Sequence, residues 1–325
     1  MPKPIVWTIA GTDPGGGAGI QGDLTTMNAL GVHGCSVITA LIAQNTLGVR
    51  RCEFVAPDMV QAQLGVLQDD LPPAAIKIGM IGSEAVLPII AQAVERARVF
   101  TVYDPVMISS SGHELMDPCI LPMIKAKLLP QVSLITPNIP EAEKLLDRKL
   151  QCEADIEQAA IDLMRLGARS VLIKGGHRGG GWSQDYWADG TQRWWITSSR
   201  SDATHTHGTG CTLSSALASC RALGLELSDS LVVAKAYINQ GIRLGGGIGH
   251  GRGPLSHEGW PCDHRDLPWI TPHAAEGTNR LVFPPEERLR QHIYPLVDRA
   301  AWLEKLLPLG IGVVQLRIKD LTGLA

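Results

Sequence analysis

Apolar positions along this chain fall into two rhythms that alternate. Short uninterrupted runs read as buried strands: "PIVWTIAGT" (4–12), "CSVITALIA" (35–43), "AIKIGM" (75–80), "VFTVYDPV" (99–106), "VSLITPN" (132–138) and "SVLIKGG" (170–176). Between them lie segments with apolar residues at helical spacing: "DLTTMNALG" (23–31), closed by glycine; "PDMVQAQLGVLQDD" (57–70), opened by proline; "SEAVLPIIAQAVERA" (83–97), with an internal proline; "CILPMIKAKLL" (119–129); and "DIEQAAIDLMRLG" (155–167). "GWSQDYWADGTQRWW" (181–195) predicts a hairpin turning at Asp-Gly. Repeated strand–helix alternation predicts an α/β fold with a mostly parallel sheet and helices on both faces. Ligands gather at the carboxyl ends of such strands. There the chain places "AGTDPGGGAG", "AQNT", "GMIG", "YDPVM", "TPNIPE" and "KGGH".

Composition narrows the class. With 325 residues and 45% hydrophobic content, the chain has enough apolar material for a sizeable core. A net charge of −3 gives no general attraction to nucleic acid or anionic membranes, so neither is expected as a partner. The seven cysteines form no C-x-x-C pair and are odd in number, which reads as reduced thiols in a cytoplasmic protein. The N-terminus lacks a secretory pattern, and no uncharged apolar run approaches the ~20 residues of a membrane helix.

Candidate chemistry sits at the strand ends. In "THTHGTGCTLSSALASC" (204–220), Gly208, Thr209 and Gly210 form a bend before a helix, and Cys211 lies in its first turn. Backbone amides and the positive helix end would make an anion site there. The helix terminus would also lower the thiol pKa, giving a base for a hydroxyl proton. The plain alternative is a small buried cysteine beside a tight turn. "AGTDPGGGAGIQGD" (10–23) fits neither dinucleotide nor Walker spacing; its Asp23 reads as an N-cap or as a ligand-binding carboxylate. In "TPNIPEAEKLL" (136–146), Asn138 and Glu141 read either as a cap or, with Asp104, as a Mg²⁺ site of hard oxygens. Lys174 and Lys235 are candidates to counter phosphate charge, Lys174 the stronger because it ends a strand. His205 and His207 read as satisfied polar residues rather than zinc ligands.

Residues 1 to about 260 resemble the hydroxymethylpyrimidine/phosphomethylpyrimidine kinases of thiamine biosynthesis, a branch of the ribokinase superfamily. The resemblance runs through "IAGTDPGGGAGIQGDLTTMNALGVHG", "ITALIAQNTLGV", "IKIGMIGS", "VYDPVM", "TPNIPEAEKL", "IKGGH" and "HTHGTGCTLSSALAS". It implies a ribokinase-like three-layer sandwich, usually a homodimer, using ATP and Mg²⁺. The implied reaction phosphorylates 4-amino-5-hydroxymethyl-2-methylpyrimidine and then its monophosphate. By the same resemblance Gly11, Ala18, Asp23, Gln44, Met80 and Val106 line the pyrimidine pocket, and the Gln44 amide pairs with the aminopyrimidine edge. Gly208, Thr209 and Gly210 hold the phosphate, and Cys211 stands where most of the superfamily carries an aspartate base. Lys174 and Lys235 lie near ATP, and Asp104, Asn138 and Glu141 near the metal. A pyridoxal/pyridoxine kinase is the alternative enzyme. A non-catalytic sensor on the same scaffold would require a damaged anion site, and the residues show none.

After residue 260 the character changes. Residues 261–290 read as a Pro- and His-rich linker, and 291–325 resemble the first strand, helix and second strand of thiamine-phosphate synthase, a (β/α)₈ barrel. Its pyrimidine-diphosphate-binding segment would correspond to Gln315, Arg317 and Lys319. Too few residues remain to close a barrel. The expectation is therefore a truncated bifunctional chain, or the fragment of one, without synthase activity.

Overall fold

The computed structural model describes residues 2–108, 112, 115–176, 180–201, 203, 205–275, 296–297 and 315–316. The chain separates into two units, residues 1–275 and 276–325.

The first unit is built on a ten-stranded sheet. Its strands are β1 (Ile5–Gly11), β2 (His33–Asn45), β3 (Gly48–Phe54), β4 (Ala75–Ile78), β5 (Phe100–Tyr103), β6 (Leu134–Ile135), β7 (Val171–Ile173), β8 (Trp182–Ala188), β9 (Arg193–Ser199) and β10 (Trp269–Thr271). They lie in the order β10-β9-β8-β7-β6-β5-β4-β1-β2-β3. From β2 through β7 every neighbouring pair is parallel. Antiparallel additions close both edges: β3 on β2, and β8, β9 and β10 beyond β7. The helices are α1 (Gly19–Ala29), α2 (Pro57–Asp70), α3 (Leu87–Ala97), α4 (Leu121–Met123), α5 (Ile139–Leu146), α6 (Glu153–Arg165), α7 (Thr209–Ala222) and α8 (Leu227–Leu244).

Side-chain alternation along the central strands feeds two cores. Trp7 and Ile9 of β1, Ile76 and Ile78 of β4 and Tyr103 of β5 pack on the face covered by α2, α3, α5 and α6. Val6, Ala75 and Val102, one residue out of phase, pack on the face covered by α1, α7 and α8. Fully burying each of these isoleucines stabilises the fold by roughly 1.5–3 kcal/mol. With both faces covered, the strands read as continuous apolar runs. Among the described residues no helix is long and apolar enough to cross a membrane.

The sequence reading needs several corrections. The helix predicted over 83–97 begins at Leu87, so Pro88 lies in its first turn, where a missing N–H costs nothing. The helix predicted over 119–129 is a string of short pieces: 3₁₀ turns at Pro118–Ile120 and Leu129–Gln131 around α4 and one wide π turn. Helix α1 starts at Gly19, which puts Asp23 inside it rather than at its N-cap. Part of the linker expected over 261–290 belongs to the first unit, because Trp269–Thr271 pairs antiparallel with β9 and the unit runs to Ala275. In the second unit the described residues form one short parallel pair, Leu296–Val297 with Gln315–Leu316. Two register pairs do not make the expected (β/α)₈ barrel fragment, which is not supported. Arg317, Lys319 and the helix expected between the strands lie outside the described residues.

Candidate active site

The carboxyl ends of the parallel strands meet the start of α7. Gly208 caps this helix with φ +81°, a left-handed conformation suited to glycine, and its carbonyl accepts from Thr212 N at 2.9 Å. A Cβ on Gly208 would lie 1.7 Å from the Gly17 carbonyl oxygen, so the bend packs directly on the glycine loop between β1 and α1. Thr209 Oγ1 donates to the Thr206 carbonyl at 2.6 Å. In the first helical turn, amides such as those of Gly210 and Cys211 have no carbonyl a turn earlier to donate to, and the helix dipole adds positive potential. Gly208, Thr209, Gly210 and Cys211 therefore sit together in one cup-shaped bend at a helix N-terminus, with the Thr209 amide turned back to the Thr206 carbonyl.

The thiol does not behave as the sequence suggests. Helix position alone predicts a lowered pKa, but burial pushes the Cys211 thiol up to about 11. Lys77 pulls in the opposite direction, Asp23 and Asp104 add to the rise, and a Gly19 amide bond to the sulfur lowers it. Cys211 is thus a neutral thiol at physiological pH, because desolvation outweighs the helix terminus.

Beside the cup lies a buried charge cluster. Asp104, at the end of β5, accepts from Lys174 Nζ at 2.5 Å and from Thr136 Oγ1 at 3.2 Å. Lys174 also lies 3.9 Å from Glu141. A Cβ on Gly210 would sit 3.1 Å from Lys174 Nζ and 3.4 Å from Asp104 Oδ2, so the cup and the cluster touch. Asn138 and Glu141 form a reciprocal capping box on α5: Glu141 N donates to Asn138 Oδ1 at 2.8 Å, and Asn138 N to Glu141 Oε2 at 2.7 Å. The Asn138 side-chain oxygen is thereby committed to the cap. Burial, countered by Lys174 and reinforced by Asp104, pushes the Glu141 carboxyl up to about 7. Burial opposes the Lys174 charge, yet Asp104 and Glu141 outweigh it and hold its pKa above the ordinary lysine value.

A raised carboxyl pKa favours the folded state while protonated, so this contribution is lost as pH climbs from the unfolded value of 4.5 through about 7. Glu141→Gln keeps an oxygen acceptor for the cap but carries no charge. We expect its melting temperature to exceed wild type by a few degrees at pH 8 and to match it at pH 4.5, read by calorimetry without metal or nucleotide. Equal melting at both values would show that the carboxylate is not strained by burial.

The expected pyrimidine residues fall into separate groups. A Cβ on Gly11 would come within 3.5 Å of Ile42, Met80 and Ala40, so those side chains pack directly against the glycine backbone. Met80 shares a small apolar cluster with Ala40, Ile42 and Leu115, and Val106 packs against it. Gln44 lies near the end of β2, close enough to Asp13 to help hold that carboxyl below its ordinary value. Ala18 donates its N–H to Asp13 at 2.8 Å. Asp23 departs from expectation. It is fully buried, and its oxygens accept from Lys77 Nζ at 2.6 Å, Thr8 Oγ1 at 2.5 Å and Ser215 Oγ at 2.7 Å. Three protein donors and full burial leave it poorly placed to take a ligand amine. Lys235 is also committed, to Asp185 at 2.7 Å and Ser183 at 3.0 Å. It reaches the cup side only through Asp185, which accepts from Gly175 N, next to Lys174.

Sequence reasoning missed Asp13 and Lys77. Asp13 accepts from Gly15, Gly17 and Ala18 amides and lies 2.9 Å from His207 Nε2, tying the β1–α1 loop to the residue before Gly208. Its signal was an aspartate two residues before a glycine run, the pattern of an Asx turn. His205 Nδ1 accepts from Gly253 N at 3.3 Å.

Comparison with known proteins adds an independent line. The phosphomethylpyrimidine kinase family profile matches residues 13–256. A thiamine biosynthesis bifunctional protein of Geobacter sulfurreducens is 44% identical over 258 residues, 79% of this chain, and the chain spans about half (53%) of that relative's length. A hydroxymethylpyrimidine/phosphomethylpyrimidine kinase of Synechococcus elongatus is 42% identical over 79% of this chain and 98% of its own. Among solved structures, the pyridoxal kinase of Staphylococcus aureus bound to pyridoxal superposes with a TM-score of 0.75 and 28% identity, covering 83% of this chain and 98% of the other.

Proposed function

The chain belongs to the phosphomethylpyrimidine kinase family, and from that premise we propose how its residues carry out ATP-dependent phosphorylation of 4-amino-5-hydroxymethyl-2-methylpyrimidine and then of its monophosphate. One observation carries the reading. The α7 cup is wedged between the Lys174–Asp104 pair on one side and the β1–α1 glycine loop on the other. A phosphoryl group in the cup would thus lie between a charge-neutralising cluster and a flat apolar slot.

The pyrimidine ring would lie over Gly11 between Met80 and Val106, its amino edge paired with Gln44. The hydroxymethyl would face Cys211. Gly208, Thr209, Gly210 and Cys211 would receive the transferring phosphoryl oxygens, and Lys174 would balance their charge. Because the Cys211 thiol is neutral near pH 7, base assistance is modest, and alignment of the hydroxyl with the phosphoryl group provides most of the rate. Lys235 would act only by bracing the Gly175 loop through Asp185. Asp104 and Glu141 suit Mg²⁺: two buried carboxylates share one ammonium, and that excess of negative charge accepts a hard cation that keeps several waters. Asn138 would contribute through the cap. When bound, the metal neutralises the phosphate chain. Asp104 and Glu141 would hold it.

Incubation with the pyrimidine alcohol, ATP and Mg²⁺ should yield the monophosphate and then the diphosphate by mass spectrometry. No pyrimidine-dependent ATP consumption would overturn the assignment. The fold likeness to a pyridoxal kinase keeps phosphorylation of pyridoxal as a second reading. With both alcohols present at equal concentration, the pyrimidine should dominate the products. A pyridoxal phosphate majority would favour the second reading.

A homodimer is part of the proposal. Leu41, Leu47, Phe54 and Met59 on β2, its turn, β3 and α2 are all more than half exposed. Apolar side chains left exposed at this edge of the sheet suit coverage by a second copy, and light scattering should give twice the chain mass. A cytoplasmic location accords with the unpaired cysteines. The likeness of 291–325 to thiamine-phosphate synthase rests on its sequence alone.

A further inference from the structure

The site contains a buried charge that the proposed chemistry leaves unused. Lys77 is the polar residue of "AIKI" in β4 and is fully buried. Strand alternation turns it, with its register partner Thr8 on β1, toward the face covered by α1 and α7. Its ammonium lies 2.6 Å from Asp23 of α1. Asp23 in turn holds Ser215 of α7, which sits one turn beyond Cys211. The pair therefore lies beneath the first turns of the helix that forms the anion cup.

Stability alone gives no reason for this pair. Replacing a buried ion pair with apolar groups of similar size is often neutral or stabilising, whereas removing one partner leaves an uncompensated charge. The charges around the cup explain it better. Asp23, Asp104 and Glu141 supply three carboxylates, and Lys77 and Lys174 supply two ammoniums. Lys174 is engaged with Asp104 and Glu141, which leaves Lys77 to cancel Asp23. Without it, a carboxylate would face the site that must take up phosphate.

We propose that Lys77 is a positioning residue for phosphoryl transfer: its ammonium fixes Asp23 and cancels its charge below α7, so that the cup presents a positive field to the transferring group. This rests on the kinase reading above. The groups facing Lys77 are Asp23 from α1, Thr8 from β1, Asp104 from β5 and Cys211 from α7. Lys77 acts on the Cys211 thiol in the direction opposite to the two aspartates.

The test compares Lys77→Met, which exposes Asp23 to the site uncompensated, with Lys77→Met/Asp23→Asn, which removes both charges. For the full chain, kcat for the pyrimidine alcohol is measured together with iodoacetamide modification of Cys211 at pH 8, followed by mass spectrometry of its peptide. The single variant should lose at least 30-fold in kcat and slow Cys211 modification about tenfold. The double variant should regain at least a third of wild-type kcat and a near-wild-type modification rate. Packing loss alone would not produce that recovery. Single-variant kcat and modification within twofold of wild type would overturn the proposal, as would a folded double variant no better than the single. If Lys77→Met does not fold, the double variant decides: kcat within tenfold of wild type supports charge cancellation, and a larger loss contradicts it. Wild-type protein inactive on the pyrimidine would instead count against the kinase reading.

Discussion

Gly208→Ala is expected to lower kcat/KM by about a thousandfold or more, the largest effect of any single change in the cup. Two penalties coincide. Gly208 holds φ +81°, where an alanine pays about 1–2 kcal/mol in backbone strain. The added Cβ would also lie 1.7 Å from the Gly17 carbonyl oxygen, an impossible approach to rigid backbone. Relief requires the start of α7 and the β1–α1 loop to move apart. That shift separates the phosphate cup from Gly11 and Ala18, so binding of the pyrimidine and transfer should suffer together. Misplacing reacting groups by about an ångström can alone cost a hundredfold. Steady-state kinetics with both substrates checks this: KM for the pyrimidine should rise while kcat falls. An unchanged kcat with melting near wild type would show that the bend does not shape the site.

Cys211→Ala should cut kcat roughly tenfold to a hundredfold and leave the melting temperature within a few degrees of wild type. The loss is smaller than a typical general base would give, because the thiol titrates at about 11 and only a minor fraction is thiolate near neutrality. The sign of the pH dependence follows. Below pH 11 the thiolate fraction grows about tenfold per unit. Wild-type kcat should therefore keep rising above pH 7 without levelling off by pH 9, and the alanine variant should lack that rise. A wild-type plateau near pH 7 would mean that another group supplies the base.

These expectations show what the sequence discloses. The parallel strands and the Gly208–Cys211 bend were legible because each is a local pattern: an apolar run, a glycine pair, a helix start. Gly11, Met80 and Val106 could be grouped only by resemblance, and their convergence depends on β1, β4 and β5 lying side by side. The Cys211 pKa was misjudged because helix position is a sequence property, whereas burial by neighbours from other elements is not. Asp23 illustrates the same limit. Its three partners come from β1, β4 and α7, so no spacing in the chain reveals that it is engaged. Lys77 was hidden in plain view: a lysine inside an apolar strand must find a counter-charge, and that anomaly was a usable signal. Strand β10 escaped notice because its Pro- and His-rich surroundings mask a three-residue strand.

Everything rests on where the phosphate sits, and a crystal structure with a non-hydrolysable ATP analogue, Mg²⁺ and the pyrimidine alcohol measures that directly. A γ-phosphate oxygen is expected about 3 Å from the Gly210 and Cys211 amides, with Lys174 beside it and the hydroxymethyl turned toward the sulfur. A γ-phosphate seated away from the start of α7, with those amides facing solvent, would contradict it.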